Sequence, residues 1–147
     1  MKNCKLDCLR YEYFDFHFAC KGQKFERANY LINKIAELNI SFMFYAEDLN
    51  KKEVVRTQKG VVRTNCLDCL DRTNYVQTKV AMHTLEYVLK TLGINIQKTF
   101  SCDSLVVALD QTNKTSEMLI VNFKNAWADA GDTISKHYTG TGSTHTK

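Results

Sequence analysis

The chain has 147 residues, of which 44% are hydrophobic and 24% are charged, and its formal net charge is +4. This length and balance predict one soluble globular domain, residues 1–147, with a single core. The longest apolar run, Leu105–Leu109, is far shorter than the roughly 20 residues needed to span a bilayer. No basic block interleaved with aromatic residues favours nucleic acid as a partner. The six cysteines are expected to be reduced thiols in the cytosol, because no signal peptide is visible.

The first third of the chain predicts two strands around a helix. Alternating apolar and polar residues over Tyr11–Phe18 predict a strand whose polar face carries Asp15 and His17. Apolar residues at helical spacing predict a helix over Phe25–Leu38. A short strand is then predicted over Ser41–Tyr45.

The middle of the chain predicts a hairpin followed by a long helix. Two β-type runs, Glu53–Thr57 and Val61–Asn65, flank the turn residues Gln58–Gly60. An apolar stripe over Thr73–Leu92 predicts the helix, and Gly93 is suited to follow its last turn.

The last third predicts one more helix and a tail. Residues 94–104 show no clear pattern, and Leu105–Leu109 is too short to assign by its period. Apolar residues three or four apart predict a helix from about Met118 to Tyr138. The composition of Thr139–Lys147 predicts a flexible tail.

The most informative stretch is Arg63–Asn74, which reads R-T-N-C-L-D-C-L-D-R-T-N. It places Cys66 and Arg72 six positions apart, between the β-type segment Gly60–Arg63 and the long helical pattern. A strand, a short loop and a helix in this order direct backbone N–H groups at one point and create an anion site. The predicted fold class is therefore α/β, built around a strand, a Cys-x5-Arg phosphate loop and a helix.

The residue types in this loop fit transfer of a phosphoryl group to sulfur. Loop amides and the positive end of the following helix can neutralise a phosphate, and Arg72 can hold two of its oxygens. The same positive surroundings favour the thiolate of Cys66, which is the nucleophile. The residues predicted to bind the phosphate, or to ease departure of the sulfur, are Leu67, Cys69, Leu70 and Thr73.

The proton donor for the leaving oxygen stays open among three carboxylates. Asp68, two residues after the cysteine, lies on the loop rim and could reach a leaving oxygen. Asp71, five residues after it, is better suited to orient Arg72 or, like Thr73, to cap the helix. Asp15 could instead supply the proton from elsewhere in the fold.

The cysteine spacing also allows two other interpretations. Cys66-x-x-Cys69 is also the pattern of a redox dithiol or of half a zinc site, for which Cys4-x-x-x-Cys8 could supply the other half. The zinc site is disfavoured because the second cysteine precedes Leu-Asp-Arg and a long helix instead of a tight knuckle. A thioredoxin-type motif is disfavoured because nothing upstream resembles a βαβ unit.

The full string resembles the signature of the Sac-domain phosphoinositide phosphatases, R-T-N-C-x-D-C-L-D-R-T-N, with Leu67 at its variable position. Phe14–His17 is similar to the D-F-H segment of that family. Trp127–Ser135 and Tyr138–Gly142 are similar to its W-x-x-N-G-D-x-I-S and Y-x-G-T-G segments, although Ala130 stands in place of the asparagine.

The resemblance runs from about Tyr11 to Thr141 and implies a partial Sac catalytic domain. It implies that Cys66 is the nucleophile and Arg72 the phosphate clamp, with phosphoinositide lipids as substrates and no metal or other cofactor. It also marks three secondary site residues without assigning them a role: Asp15, His17 and Asp132.

The resemblance further implies a place of action on the cytoplasmic face of the endoplasmic reticulum or Golgi membrane. We expect the chain to be the catalytic middle of a longer protein. The alternative from another class is a fragment that binds phosphoinositides without turning them over.

Overall fold

The structure is a computed structural model, and it describes residues 8–22, 24–94 and 114–143. The described residues are mostly helical and include one small sheet of two strands. The elements in chain order are α1 Phe16–Ala19, a 3₁₀ turn Phe25–Ala28, α2 Asn29–Ser41, β1 Ala46–Asp48, β2 Glu53–Arg56, α3 Asp71–Thr91 and α4 Lys114–Thr139.

The core lies where α2 and α4 pack on α3. Apolar positions three or four residues apart give each helix one inward face. The buried side chains at these contacts include Ala28, Ile32, Val76, Met82 and Ile120. A side-chain hydrogen bond from Asn39 Nδ2 to Thr84 Oγ1, 2.8 Å long, joins α2 to α3.

Three aromatic rings fix the N-terminal segment to α3. The ring of Phe16 lies 5.8 Å from that of Phe25 and 6.0 Å from that of Tyr75 between centroids. Phe25 and Tyr75 complete the cluster at 5.5 Å, and the Tyr75 hydroxyl donates to the Phe25 carbonyl. Such contacts each contribute about 0.5–1.5 kcal/mol beyond area burial. The cluster therefore holds α1 beside the first turns of α3.

The two strands predicted in the first third were wrong. Residues 11–15 form no ladder, and Asp15 instead caps α1 by accepting a hydrogen bond from the Phe18 amide at 2.9 Å. An aspartate that satisfies a helix amide in this way favours helix over strand. The strand predicted over Ser41–Tyr45 is absent because Ser41 is the last residue of α2.

The hairpin lies earlier than the sequence predicted. Strands β1 and β2 are antiparallel, with Glu47 opposite Val54 and Asp48 opposite Glu53, and the polar loop at residues 49–52 connects them. Asp48 Oδ1 stabilises this loop by accepting from the Asn50 amide at 2.9 Å. The predicted turn at residues 58–60 was therefore wrong.

The predicted strand before the cysteine is also absent. Among the described residues, no backbone hydrogen bond pairs Val61–Asn65 with another strand. The alternation that suggested a strand is nevertheless real: Val62, Thr64 and Cys66 are half-buried, whereas the residues between them are exposed. Alternation predicts an extended chain, but a strand also needs a partner.

Both long helices were predicted correctly. Helix α3 begins two residues before the predicted start, and Gly93 follows it with a φ of +75°. Helix α4 contains the predicted span and ends at Thr139. The capping prediction was wrong, since Leu70 occupies the cap position and both Asp71 and Thr73 lie inside α3. Leu105–Leu109 and the last four tail residues lie outside the described residues.

Candidate active site

A short loop at residues 66–70 brings Cys66 and Arg72 together at the start of α3. Cys66 is half-buried, and Arg72 Nη1 lies 3.8 Å from its Sγ atom. This contact places a permanent positive charge against the sulfur.

Two side chains within the loop hold its turn. Cys69 has a φ of +57°, a left-handed conformation that few residues other than glycine adopt, and its Sγ donates to the Cys66 carbonyl at 3.2 Å. Asp68 Oδ1 accepts from the Leu70 amide at 3.2 Å. The chain therefore reverses sharply and enters α3, while Leu67 at the tip is 98% exposed.

The first turn of α3 follows directly after the loop. The opening amides of a helix lack partners inside it and point out of its N-terminal end, where the helix dipole is positive. Arg72 and Thr73 belong to this turn. The Thr73 hydroxyl is buried and makes no hydrogen bond within the described residues, so the predicted bond to the sulfur is not formed in this structure.

Asp71 accepts a hydrogen bond from a residue that the sequence did not single out. The Ser143 hydroxyl donates to Asp71 Oδ1 at 2.6 Å, and the Ser143 amide donates to Asp132 Oδ1 at 3.1 Å. Asp132 also pairs with Lys136 at 2.5 Å. The lysine, followed by the Ser143 amide, holds the pKa of Asp132 below its ordinary value of 3.8, and the pair raises the pKa of Lys136.

A second contact between α3 and α4 lies one turn further on. Asn74 Nδ2 donates to the Trp127 carbonyl at 3.1 Å. Gly131 is buried beside it, and a Cβ atom there would lie 2.5 Å from Asn74 Nδ2. A side chain at position 131 would therefore have to displace the Asn74 amide from its hydrogen bond. The signal in the sequence is Gly131 itself, because glycine is unfavourable inside a helix unless packing requires it.

Asp15 and His17 lie on α1 instead of on a strand. Asp15 is engaged as the helix cap, and His17 is exposed. In the part of the chain that the structure describes, neither side chain makes a hydrogen bond or ion pair with the loop. Their segment is placed near the site only through the ring contact between Phe16 and Tyr75.

Curated relatives identify the family of this chain. The phosphatidylinositol-3-phosphatase SAC1 of Drosophila melanogaster is 39% identical over 133 residues, which cover 90% of this chain and 20% of the relative. The protein of the same name from Saccharomyces cerevisiae is 38% identical over 143 residues, covering 94% and 21%. The phosphoinositide phosphatase SAC6 of Arabidopsis thaliana is 34% identical over 142 residues, covering 96% and 22%.

This chain belongs to the Sac phosphoinositide phosphatase family. It is a fragment of the Sac region and spans about a fifth of the length of these curated relatives. No family model matches the chain, and no solved structure matches it.

A cavity of about 330 Å³ in the Sac fragment opens between α3 and α4. Its lining begins at Asp71 and Ser143, beside the loop, and includes the rings of Tyr75 and Trp127. Two lysines, one on each helix, also line this cavity: Lys79 and Lys124.

Two other features bear on the expectations for this Sac fragment. No group of three or more potential metal ligands occurs among the described residues. Of the zinc ligands considered, Cys4 lies outside the described residues, and Cys8 is an exposed free thiol. Within the described ranges, no helix is both long and apolar enough to cross a membrane.

Proposed function

We propose that this Sac fragment removes a phosphate from an inositol headgroup through a phosphocysteine intermediate. The observation that carries the proposal is the contact between Arg72 Nη1 and Cys66 Sγ at the opening turn of α3. A phosphate monoester repels nucleophiles until its charge is neutralised. A guanidinium and the helix amides can provide that neutralisation at the atom where the sulfur must attack.

The reaction has two balanced steps. The Cys66 thiolate attacks phosphorus, the bond to the inositol oxygen breaks, and that oxygen leaves with a proton from a carboxylic acid. Water then attacks the phosphocysteine, which releases inorganic phosphate and restores the thiolate. We assign the proton to Asp68, which lies in the loop with one oxygen on the Leu70 amide, because Asp71 Oδ1 is engaged by Ser143.

The lipid substrate is proposed from the relatives, whose names specify phosphoinositide phosphatases. The positive charges of Lys79 and Lys124, which line the cavity between α3 and α4, suit a headgroup with more than one anionic group. We propose that the Sac fragment meets these lipids on the cytosolic surface of an internal membrane, the endoplasmic reticulum or the Golgi.

Phosphate release from short-chain phosphatidylinositol monophosphates tests the proposal. Cys66→Ser should release no phosphate above background, because an alcohol at neutral pH is a far weaker nucleophile than a thiolate. Arg72→Ala should lower turnover by roughly 10²–10³-fold, as expected for loss of one charge-stabilising group. Lys90→Ala, which removes an exposed positive charge from the last turn of α3, is the matched control and should retain activity. Equal release by wild type and Cys66→Ser would contradict the catalytic role.

A binding fragment without turnover is the second candidate, because the chain spans only about a fifth of its relatives. It predicts association with phosphoinositide-containing vesicles that weakens in Arg72→Ala, together with no phosphate release by any variant. A zinc-binding domain is the third alternative, and stoichiometric zinc in elemental analysis of the purified chain would support it.

A further inference from the structure

Two side chains on one face of the first turns of α3 are tied to α4 and to the residues after it. Asp71 and Asn74 are three positions apart, so they share a helix face. Ser143 donates to the first, and the second donates to the Trp127 carbonyl. The face that carries Arg72 is rotated by about 100° from Asp71, because a helix turns that much per residue. Fixing one face therefore fixes the direction of the arginine on the other.

The residues after α4 are built to deliver Ser143 to this position. Gly140, with a φ of +77°, ends the helix, and its amide donates to the Lys136 carbonyl. Gly142 then passes so close to Asp132 that a Cβ atom would lie 2.7 Å from Oδ1. That same oxygen accepts the Ser143 amide. The carboxylate therefore holds the backbone of Ser143, while the Ser143 hydroxyl reaches across to Asp71.

We propose that Ser143, held by Asp132, is a positioning residue for the thiolate loop. Its hydroxyl fixes Asp71, Asp71 fixes the opening turn of α3, and that turn sets where the Arg72 guanidinium meets Cys66 Sγ. Ser143 touches neither the nucleophile nor the bound anion in this scheme. The consequence for turnover rests on the proposed function, whereas the consequence for the contact between arginine and sulfur does not.

The test compares Ser143→Ala with Ser143→Thr, which keeps the hydroxyl, in the full chain. Thr133→Ala, which removes an exposed hydroxyl from α4, is the matched control. The rate of Cys66 alkylation by iodoacetamide is followed across pH, with the modified residue located by mass spectrometry. Ser143→Ala should slow alkylation of Cys66 near neutral pH and so change its profile, because the Arg72 guanidinium no longer lies against Sγ. Ser143→Thr and Thr133→Ala should reproduce the wild-type profile.

Two further readouts separate positioning from loss of the fold and from failure of the proposed chemistry. Alkylation of the buried Cys20 should stay as slow in Ser143→Ala as in wild type. If the chain releases phosphate, Ser143→Ala should lower kcat several-fold with little change in KM. A Cys66 profile in Ser143→Ala that superimposes on wild type overturns the inference, as does a rise in Cys20 alkylation parallel to the change at Cys66. If wild type releases no phosphate but Ser143→Ala still changes the Cys66 profile as expected, the phosphatase proposal is wrong and the positioning role of Ser143 is supported.

Discussion

At the residue scale, cysteines in this chain have opposite surroundings. Cys20 is 5% exposed, and burial raises the pKa of its thiol because a thiolate would lose its hydration. Cys66 instead lies beside a guanidinium. Burial keeps the sulfur of Cys20 neutral and inaccessible, whereas the sulfur of Cys66 is in contact with a positive charge.

We therefore expect iodoacetamide to modify Cys20 several-fold more slowly than Cys8 or Cys69 in the native chain at pH 8. Both reference residues are exposed free thiols. Peptide mapping of a modification time course measures the rates. Unfolding in urea is the control and should equalise them; equal rates in the folded chain would show that Cys20 is not protected.

Asp132 gives a residue-scale prediction about acid. Its folded-state pKa lies below the ordinary 3.8, so its interactions stabilise the fold above that value. The contribution is lost as the pH falls through the depressed folded-state pKa. Asp132→Asn should therefore be less stable than wild type at pH 6, and the difference should shrink below about pH 4.

Urea unfolding of the two chains at several pH values measures this difference. Glu37→Gln is the matched control, because Glu37 is an exposed carboxylate on α2, and its substitution should change stability little at any of these pH values. A difference between Asp132→Asn and wild type that stays constant down to pH 3 would argue against the ion pair with Lys136.

At the element scale, the approach of α4 to α3 depends on one missing side chain. Gly131 is buried against Asn74, whereas the neighbouring Ala130 is exposed. Gly131→Leu should therefore lower the free energy of unfolding by roughly 1–3 kcal/mol through overpacking and loss of the bond from Asn74 to Trp127. Ala130→Leu should change it by less than about 0.5 kcal/mol. Thermal unfolding of both variants checks the contrast, and equal stability would mean that the helices do not pack this way.

The sequence could predict the elements that have a periodic pattern of apolar residues. Helices α3 and α4 each carry a long apolar stripe, so the spacing of their apolar residues was sufficient to predict them. The strand prediction at Asp15 failed because the hydrogen bond by which this residue caps α1 competes with pairing between strands. The alternation of apolar and polar residues carries no information about that competition. The contact between Cys66 and Arg72 followed from their spacing. The bond between Ser143 and Asp71 could not be predicted, since it joins residues 72 positions apart and leaves no periodic signal.

At the scale of the whole molecule, the two sides of the thiolate loop differ in how many hydrogen bonds join them to the rest of the fold. The arginine side is tied to α4 by Ser143 and Trp127. On the cysteine side, Val61–Asn65 makes no backbone hydrogen bond to another described strand. Hydrogen bonds therefore hold the half of the site that carries Arg72, whereas partial burial of side chains is the main interaction of the half that carries Cys66.

Amide hydrogen exchange should report this difference. We expect the amides of Val61–Asn65 to exchange at least about 10²-fold faster than those in the middle of α3, because few interactions oppose their opening. Addition of inorganic phosphate should slow exchange in Val61–Asn65 and leave the middle of α3 unchanged. Chloride at matched ionic strength is the control. Protection of the segment without phosphate would indicate that it is already ordered.

The lone extended segment also bears on how tightly the site can hold an anion. If only a fraction of molecules presents Cys66 correctly at any moment, the apparent dissociation constant rises by the inverse of that fraction. Any interaction that orders Val61–Asn65 without touching the anion would raise that fraction. Affinity for an anion at Cys66 would then increase although the contacts of the anion itself are unchanged.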